Sequence, residues 1–147
     1  MEKRTILLSV LTFFIFGTAF AQKIPSKDVP SVVLNNFQTK FRNAEDVEWK
    51  HKNNYYEVEF EINHRDYEIK YNPKGGVISY EEELDVNTVP SNIQSAIKTK
   101  YPNSTVREAE KKEKNGLTYK VGIKDAAGEK WDIVLDQAGK IISEKRD

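Results

Sequence analysis

The chain has 147 residues, with 23 Lys and Arg side chains balanced by 23 Asp and Glu, and it has no cysteine. A zero formal charge argues against a general nucleic-acid-binding surface and against an acidic solvating tail. The lack of cysteine excludes a disulfide framework, a thiol nucleophile, a thiolate metal site and a lipoprotein-type N-terminal cysteine. The length predicts one domain, or one unit built from two small repeats.

The N-terminal segment has the three parts of a secretory signal peptide. A short charged start at residues 2–4 precedes an apolar run at 6–16, and Ala19-Phe20-Ala21 forms a small-residue cleavage pattern. We therefore predict a signal peptide over 1–21 and an exported chain over 22–147, periplasmic or secreted and free of the membrane after cleavage. The alternative is an uncleaved anchor, because the uncharged run after Arg4 reaches the lower limit of a bilayer span.

The rest of the chain contains two copies of one pattern, about sixty residues apart. Val29-Pro30-Ser31 recurs as Val89-Pro90-Ser91, and the later blocks of each copy follow in the same order. The offset grows only by small steps, as expected when insertions occur in hairpin loops. The predicted repeats are residues 28–84 and 88–147.

Each copy begins with a predicted helix. Val33, Phe37 and Phe41 lie four residues apart, and this spacing places them on one helical face. Pro30 and Pro90 fall in the first turn of the two helices, where a missing N–H costs nothing. The corresponding apolar face of the second copy is Ile93, Ile97 and Tyr101.

Four strands are predicted after each helix. Tyr56, Val58 and Phe60 alternate with Glu57 and Glu59, a pattern that indicates a sheet covered on one face only. Sequences rich in Asn, Asp and Gly separate the strands and predict hairpins. The predicted fold class is α+β, a tandem repeat of a helix plus a four-stranded antiparallel meander (α-β4-α-β4), with the helices on one sheet face. One continuous sheet is the simplest assembly, and two facing sheets are the alternative.

Several segments together resemble a known family. These are Val47-Glu48-Trp49, the strand at 56–60, and the hairpin sequences at 72–77 and 136–141. On these residues, the chain is similar to the β-lactamase-inhibitor-like, PepSY-like family of exported bacterial proteins, common in Bacteroidetes. The resemblance covers essentially the whole exported chain and implies a periplasmic or secreted binding module. β-Lactamase inhibitor proteins clamp an enzyme with an open sheet face, and PepSY domains have been proposed to restrain peptidases; neither activity depends on a catalytic residue.

No arrangement of residues predicts catalysis or a bound cofactor. His51 and His64 lie in or beside turns and lack the short paired spacing of zinc ligands. The acidic row at 57–61 and the run at 81–83 have neither the opposed geometry of an acid–base pair nor the spacing of a calcium loop. We therefore predict no catalytic, cofactor-binding or metal site, and a protein that is not an enzyme.

Two features suggest a binding surface. Residues 22–84 carry a net charge of −3 and residues 85–147 a net charge of +2, so a continuous sheet would present a face that changes from acidic to basic. Tyr55 is a candidate exposed anchor. Trp49 is a second candidate, but it shares a strand face with Val47, and this favours the core for it. The candidate partner-binding residues are Trp49, Tyr55, Glu57, Glu59, Glu61, Lys120 and Lys124.

These features predict an exported, non-enzymatic, inhibitor-like binding module. It would act as a monomer and present an open sheet face to an unknown protein partner, without binding nucleic acid. The alternative is a small-ligand or cell-envelope binding protein with a site between the two repeats.

Overall fold

The computed structural model describes residues 22–147, so the predicted signal peptide lies outside the described residues. Two helices and nine strands occur in this range, and the strands pair antiparallel in chain order into a single sheet. The helices are α1 (Ser31–Lys40) and α2 (Ser91–Lys100), each preceded by a short 3-10 helix, Ser26–Asp28 and Val86–Thr88. The strands are β1 (Gln22–Ile24), β2 (Glu45–Lys52), β3 (Tyr55–Ile62), β4 (Arg65–Tyr71), β5 (Val77–Leu84), β6 (Thr105–Glu113), β7 (Leu117–Lys124), β8 (Lys130–Asp136) and β9 (Ile141–Arg146).

The single sheet decides between the two assemblies that the sequence left open, because β5 pairs directly with β6 and joins the halves. The sheet also has one strand more than predicted. Ile24 of β1 pairs with Trp49 of β2, just as Leu84 of β5 pairs with Ala109 of β6, sixty residues later. Three residues are too few to show a period-two pattern, and for this reason β1 was not predicted.

Both helices begin and end in the same way. The Pro30 carbonyl accepts hydrogen bonds from the N–H groups of Val33 and Leu34, at 2.9 and 3.0 Å, and so starts α1. The N–H of Phe41 donates to the carbonyl of Phe37 at the other end, and Tyr101 closes α2 in the same manner. The predicted helical faces are those that the structure buries.

Two apolar clusters form the core, one in each half of the chain. Val33 and Phe37 of α1 join an aromatic cluster, in which the Phe37 ring lies 5.4 Å from Trp49 and 5.0 Å from Phe60. The cluster around α2 is mostly aliphatic. Its buried members are Val89, Ile93, Ile97, Ala109, Tyr119, Val121, Ile123, Ile133 and Leu135.

The strand register shows that the two clusters lie against the same face of the sheet. Ile69 lies opposite Tyr80, and Leu84, four residues along the same strand, lies opposite Ala109. Directly opposed residues and residues two or four apart in a strand share a face. The two cores therefore lie on the same side of the sheet, and the other side, which we call the charged face, carries the alternating polar residues.

Candidate functional site

The charged face carries rows of directly opposed carboxylates. Glu48 of β2 lies opposite Glu59 of β3, which lies opposite Glu68 of β4, and Glu68 lies opposite Glu81 of β5. The row ends at Lys112 of β6, which pairs with Glu81 and forms an ion pair with it. Like charges at directly opposed positions destabilise a sheet, but each carboxylate of this row also forms an ion pair with a lysine.

A second row of carboxylates runs beside the first. Glu61 of β3 lies opposite Asp66 of β4, and the Asp66 N–H donates a hydrogen bond of 3.3 Å to the Glu83 carboxylate. Glu83 lies opposite Glu110 of β6, and Glu110 lies opposite Lys120 of β7. Negative charge therefore extends without a break from β3 to β6 along this row.

The two rows line a concavity of about 510 Å³, which we call the acidic concavity. All of its lining residues except Phe60, Tyr67 and Ala109 are Asp or Glu. It reaches from β2 in the first half of the chain to β6 in the second. Its volume lies within the range of binding sites for small molecules and side-chain clusters.

An irregularity in β2 brings further carboxylates to this concavity. The register of β2 against β3 shifts between Glu45 and Glu48, and Asp46 has a φ of 48°, in the left-handed region. The shift breaks the alternation before Trp49 and leaves Val47 41% exposed, whereas Asp46 and Glu48 line the concavity. Simple alternation along β2 gave no sign of this bulge.

Glu57 does not occupy the exposed position that the sequence predicts. Its side chain is buried between Lys50 of β2 and Lys70 of β4, with Nζ–Oε distances of 3.8 and 3.4 Å. The two lysines also hold Glu59, at 2.5 Å from Lys50, and Glu68, at 2.6 Å from Lys70. The expectation of a solvated Glu57 is wrong because lysines on both neighbouring strands cover it.

This group has the one close arrangement of carboxylates that could be considered for a metal among residues 22–147. The carboxylate oxygens of Glu57, Glu59 and Glu68 lie within 4.8 Å of one another. The hydrogen bond from Lys50 to Glu59 raises the pKa of the lysine. Burial lowers the pKa of Lys70, but the hydrogen bonds and charges of Glu68 and Glu57 together outweigh burial and raise it. The ammonium groups supply the countercharge, so the arrangement is an ion-pair network at one border of the acidic concavity.

Glu110 lies at the opposite border. Burial raises the pKa of Glu110, and the nearby carboxylates of Glu81 and Glu108 raise it further. The positive charge of Lys120 lowers it, but by less than burial raises it. Lys120 is also 3.5 Å from Asp132 of β8. Glu110 is thus a carboxylate with more negative than positive neighbours.

The two aromatic candidates differ in position. Trp49 is only 3% exposed and packs in the aromatic core, so the expectation that it contacts a partner is wrong and the core alternative is correct. Tyr55 is half-buried on the charged face, with the Lys70 ammonium 5.9 Å from its ring centroid. Trp49 is buried because β2 turns it toward Phe37, whose ring it meets edge-on.

The remaining candidates divide between two parts of the charged face. Glu59 and Glu61 line the acidic concavity, whereas Lys120 and Lys124 lie on β7, and Lys124 is exposed opposite Lys130. The change from acidic to basic falls between β5 and β6 along the first row, at Glu81 and Lys112. Along the second row it falls between β6 and β7, at Glu110 and Lys120. The two histidines are exposed, as expected for solvated turn residues.

A profile of the family described as "Putative beta-lactamase-inhibitor-like, PepSY-like" matches the chain twice, over residues 19–79 and 78–143. No curated protein matches the chain. Among the described residues, neither helix is long and apolar enough to cross a lipid bilayer.

Solved structures with the same fold come from Bacteroides species. A BLIP-like protein from Bacteroides fragilis is 21% identical, with a TM-score of 0.64 over 84% of this chain and 86% of that one. A DUF2874 family protein from Bacteroides uniformis is 19% identical, with a TM-score of 0.66 over 80% and 88%. A protein described as "putative periplasmic" from Bacteroides eggerthii is 14% identical, with a TM-score of 0.68 over 80% and 88%. At these identities the likeness shows a shared fold.

Proposed function

The chain belongs to the beta-lactamase-inhibitor-like, PepSY-like family, and on that premise we propose that it is an exported, non-enzymatic binding module that holds a protein partner against its charged face. The observation that carries the proposal is the acidic concavity at the centre of this face. Phe37 of α1 and Ile97 of α2 belong to cores on the same side of the sheet, so we infer that both helices cover that side. The charged face is then the side left open to a partner.

The chemistry of this face selects a partner with basic residues. The acidic concavity would receive Lys or Arg side chains, whereas Lys120 and Lys124 at the basic end would meet acidic ones. Such polarity orients the partner and accelerates encounter more than it adds affinity. The BLIP-like relative supports an inhibitor-like role, in which the bound protein is blocked by occupation of its surface.

Export is part of the proposal. The predicted signal peptide at 1–21 and the relative described as periplasmic both support a periplasmic or secreted location. N-terminal sequencing of the protein from fractionated cells tests it, with Gln22 as the expected first residue. A first residue within 1–21 on membrane-bound protein would instead favour the uncleaved anchor.

The boundaries of the two repeats, 28–84 and 88–147, stay a prediction. The family profile divides the chain within β5, where its two matches overlap at residues 78–79. β5 is the fourth strand after α1. It also precedes α2 in the same way that β1 precedes α1. We propose that the two repeats share β5, an arrangement that gives nine strands instead of eight.

We also propose that the protein acts as a monomer. β9 is an edge strand that ends in Lys145 and Arg146, and charged edge residues discourage pairing with another chain. Sedimentation equilibrium tests this directly, and a dimer mass at micromolar concentration would contradict it.

Site-specific photocrosslinking in the native organism tests the binding face. A benzoylphenylalanine at position 83, in the acidic concavity, should give a discrete crosslinked product, whereas one at exposed position 35 of α1 should not. The charge reversal Glu61→Lys, which introduces the type of residue found at Lys124 in the second copy, should abolish that product. Equal products from positions 83 and 35, or a product unaffected by Glu61→Lys, would refute the proposal.

The position of the acidic concavity also favours a second candidate, a cationic small ligand or cell-envelope component held between the repeats. Glu59 and Glu61 of the first copy and Glu108 and Glu110 of the second line the same 510 Å³ space. Isothermal titration with a polyamine such as spermidine separates the two candidates. Binding that is lost in Glu61→Lys, in a protein that gives no crosslinked product, would favour the ligand.

A further inference from the structure

A second groove, on the other side of β2, differs in chemistry from the acidic concavity. It has a volume of about 650 Å³ and lies between β1, the second half of α1 and the beginning of β2. Phe37 and Trp49, both buried, form its floor, and Leu34, Phe41 and the 41% exposed Val47 line its sides. Its volume lies within the range of small-molecule sites, and its lining mixes apolar and aromatic side chains with charged ones at the rim.

The rim of this groove carries two cationic side chains. Lys23 is engaged, because its ammonium is 2.6 Å from the Glu48 carboxylate. Arg42 is exposed, and within residues 22–147 its guanidinium forms no ion pair. The groove therefore combines an apolar interior with one free positive charge at its entrance.

The second copy has different side chains at this position. Sixty residues after Val47 stands Arg107, whose side chain is 27% exposed, with Nη2 3.6 Å from the carboxylates of Glu108 and Asp147. Ala109 likewise takes the place of Trp49. The first copy thus has Trp49 and Val47 at the positions where the second copy has the small Ala109 and the long, charged Arg107.

We propose that this groove binds a small amphipathic anion. The apolar body would pack on Phe37, Phe41 and Trp49 beside Val47, and the anionic head would pair with Arg42 at the rim. Glu48 at the rim is already paired with Lys23, so Arg42 leaves the rim with one uncompensated positive charge, which favours an anionic head group over a cationic one. This site is separate from the face proposed for the protein partner, and either can exist without the other.

Fluorescence titration of the purified protein with 1-anilinonaphthalene-8-sulfonate, an apolar anion, provides the test. Saturable binding is expected, with competition by dodecanoate and none by dodecyltrimethylammonium below its micelle concentration. Arg42→Glu should weaken binding about two- to fivefold, the size of one exposed ion pair. The matched reversal Lys98→Glu, on the exposed side of α2, should leave it unchanged.

Val47→Arg, which copies the residue of the second repeat, should remove binding while the thermal transition is retained. If that variant fails to fold, the pair Arg42→Glu and Lys98→Glu decides alone. The proposal is overturned if the native protein does not bind the probe, if the cationic surfactant competes as well as dodecanoate, or if the two charge reversals have equal effects.

Discussion

Replacing Glu110 by glutamine is expected to stabilise the protein at neutral pH. Glu110 lies directly opposite Glu83, and burial together with nearby carboxylates raises its pKa against the opposing charge of Lys120. A raised pKa means that the folded protein holds this proton more tightly than the unfolded chain does. Above the folded-state pKa, the ionised Glu110 therefore lowers the free energy of unfolding. This loss disappears as the pH falls through the folded-state pKa and below the unfolded value of 4.5.

The size of the gain follows from the strand geometry. Burial is the largest cause of the raised pKa, and the carboxylates of Glu81 and Glu108 add to it. A carboxylate taken as about 6 Å away repels the ionised Glu110 by about 0.7 kcal/mol at the dielectric constant of water. Lys120 offsets part of this repulsion and salt screens the rest, so a net gain of about 0.5 kcal/mol is expected, within the range for cross-strand charge pairs. For a folded chain of this size, such a gain raises Tm by about 2 °C.

Urea unfolding followed by circular dichroism, at pH 7 and again at pH 4, measures the effect. Glu144→Gln is the matched control of opposite sign, because hydrogen bonds from Lys100 and the Tyr101 hydroxyl lower the pKa of Glu144. That variant should lose stability at pH 7, and the loss should shrink as the pH falls through the lowered pKa. If Glu110→Gln is less stable than the native protein at pH 7, or gains as much at pH 4 as at pH 7, the repulsion argument is wrong.

Three further substitutions test the packing that positions the charged face, each by urea unfolding at pH 7. Gly75→Ala should cost about 1–2 kcal/mol, because its φ is +85° and a Cβ would lie 2.6 Å from Asn36 Nδ2. The matched control Gly128→Ala, with the same φ and its closest atom 3.7 Å from a Cβ, should cost less. Trp49→Ala should cost about 3–5 kcal/mol, and a loss below 1 kcal/mol would contradict its place in the core. Glu57→Gln should cost about 1–3 kcal/mol, because it leaves two lysine ammonium groups without their buried partner, and an unchanged midpoint would refute that pairing.

The local pattern of the sequence was sufficient for most of the fold. Val33 and Phe37 identify the buried face of α1, and the alternation of Val58 and Phe60 with glutamates identifies both faces of β3. These predictions succeed because each depends on residues within one turn or one strand. The sequence could not decide between one sheet and two, because that depends on the pairing of β5 with β6 across about thirty residues.

The candidate site was less predictable because it depends on register. Glu61, Asp66, Glu83 and Glu110 meet only after four strands pair, and nothing in the neighbourhood of each residue indicates that its partner is also acidic. The burial of Glu57 has the same origin, since the covering lysines come from the strands on either side. Asp46 reaches the acidic concavity through a bulge that interrupts the alternation of β2.

The second copy of the repeat shows that glutamates along β3 are not needed to form the sheet. Glu57, Glu59 and Glu61 of β3 correspond, sixty-three residues later, to Lys120, Gly122 and Lys124 of β7, and both strands pair along their full length with a following strand. The same backbone therefore forms with carboxylates or with lysines at these positions. Lysines offset the charges of Glu57 and Glu59, but Glu61, Asp66, Glu83 and Glu110 of the second row form no ion pair within residues 22–147. The repulsion along that row reduces stability, and we look for its explanation in a role other than folding. The proposed binding of a basic partner would supply that role, because the charge that weakens the isolated sheet is the charge that the partner would neutralise.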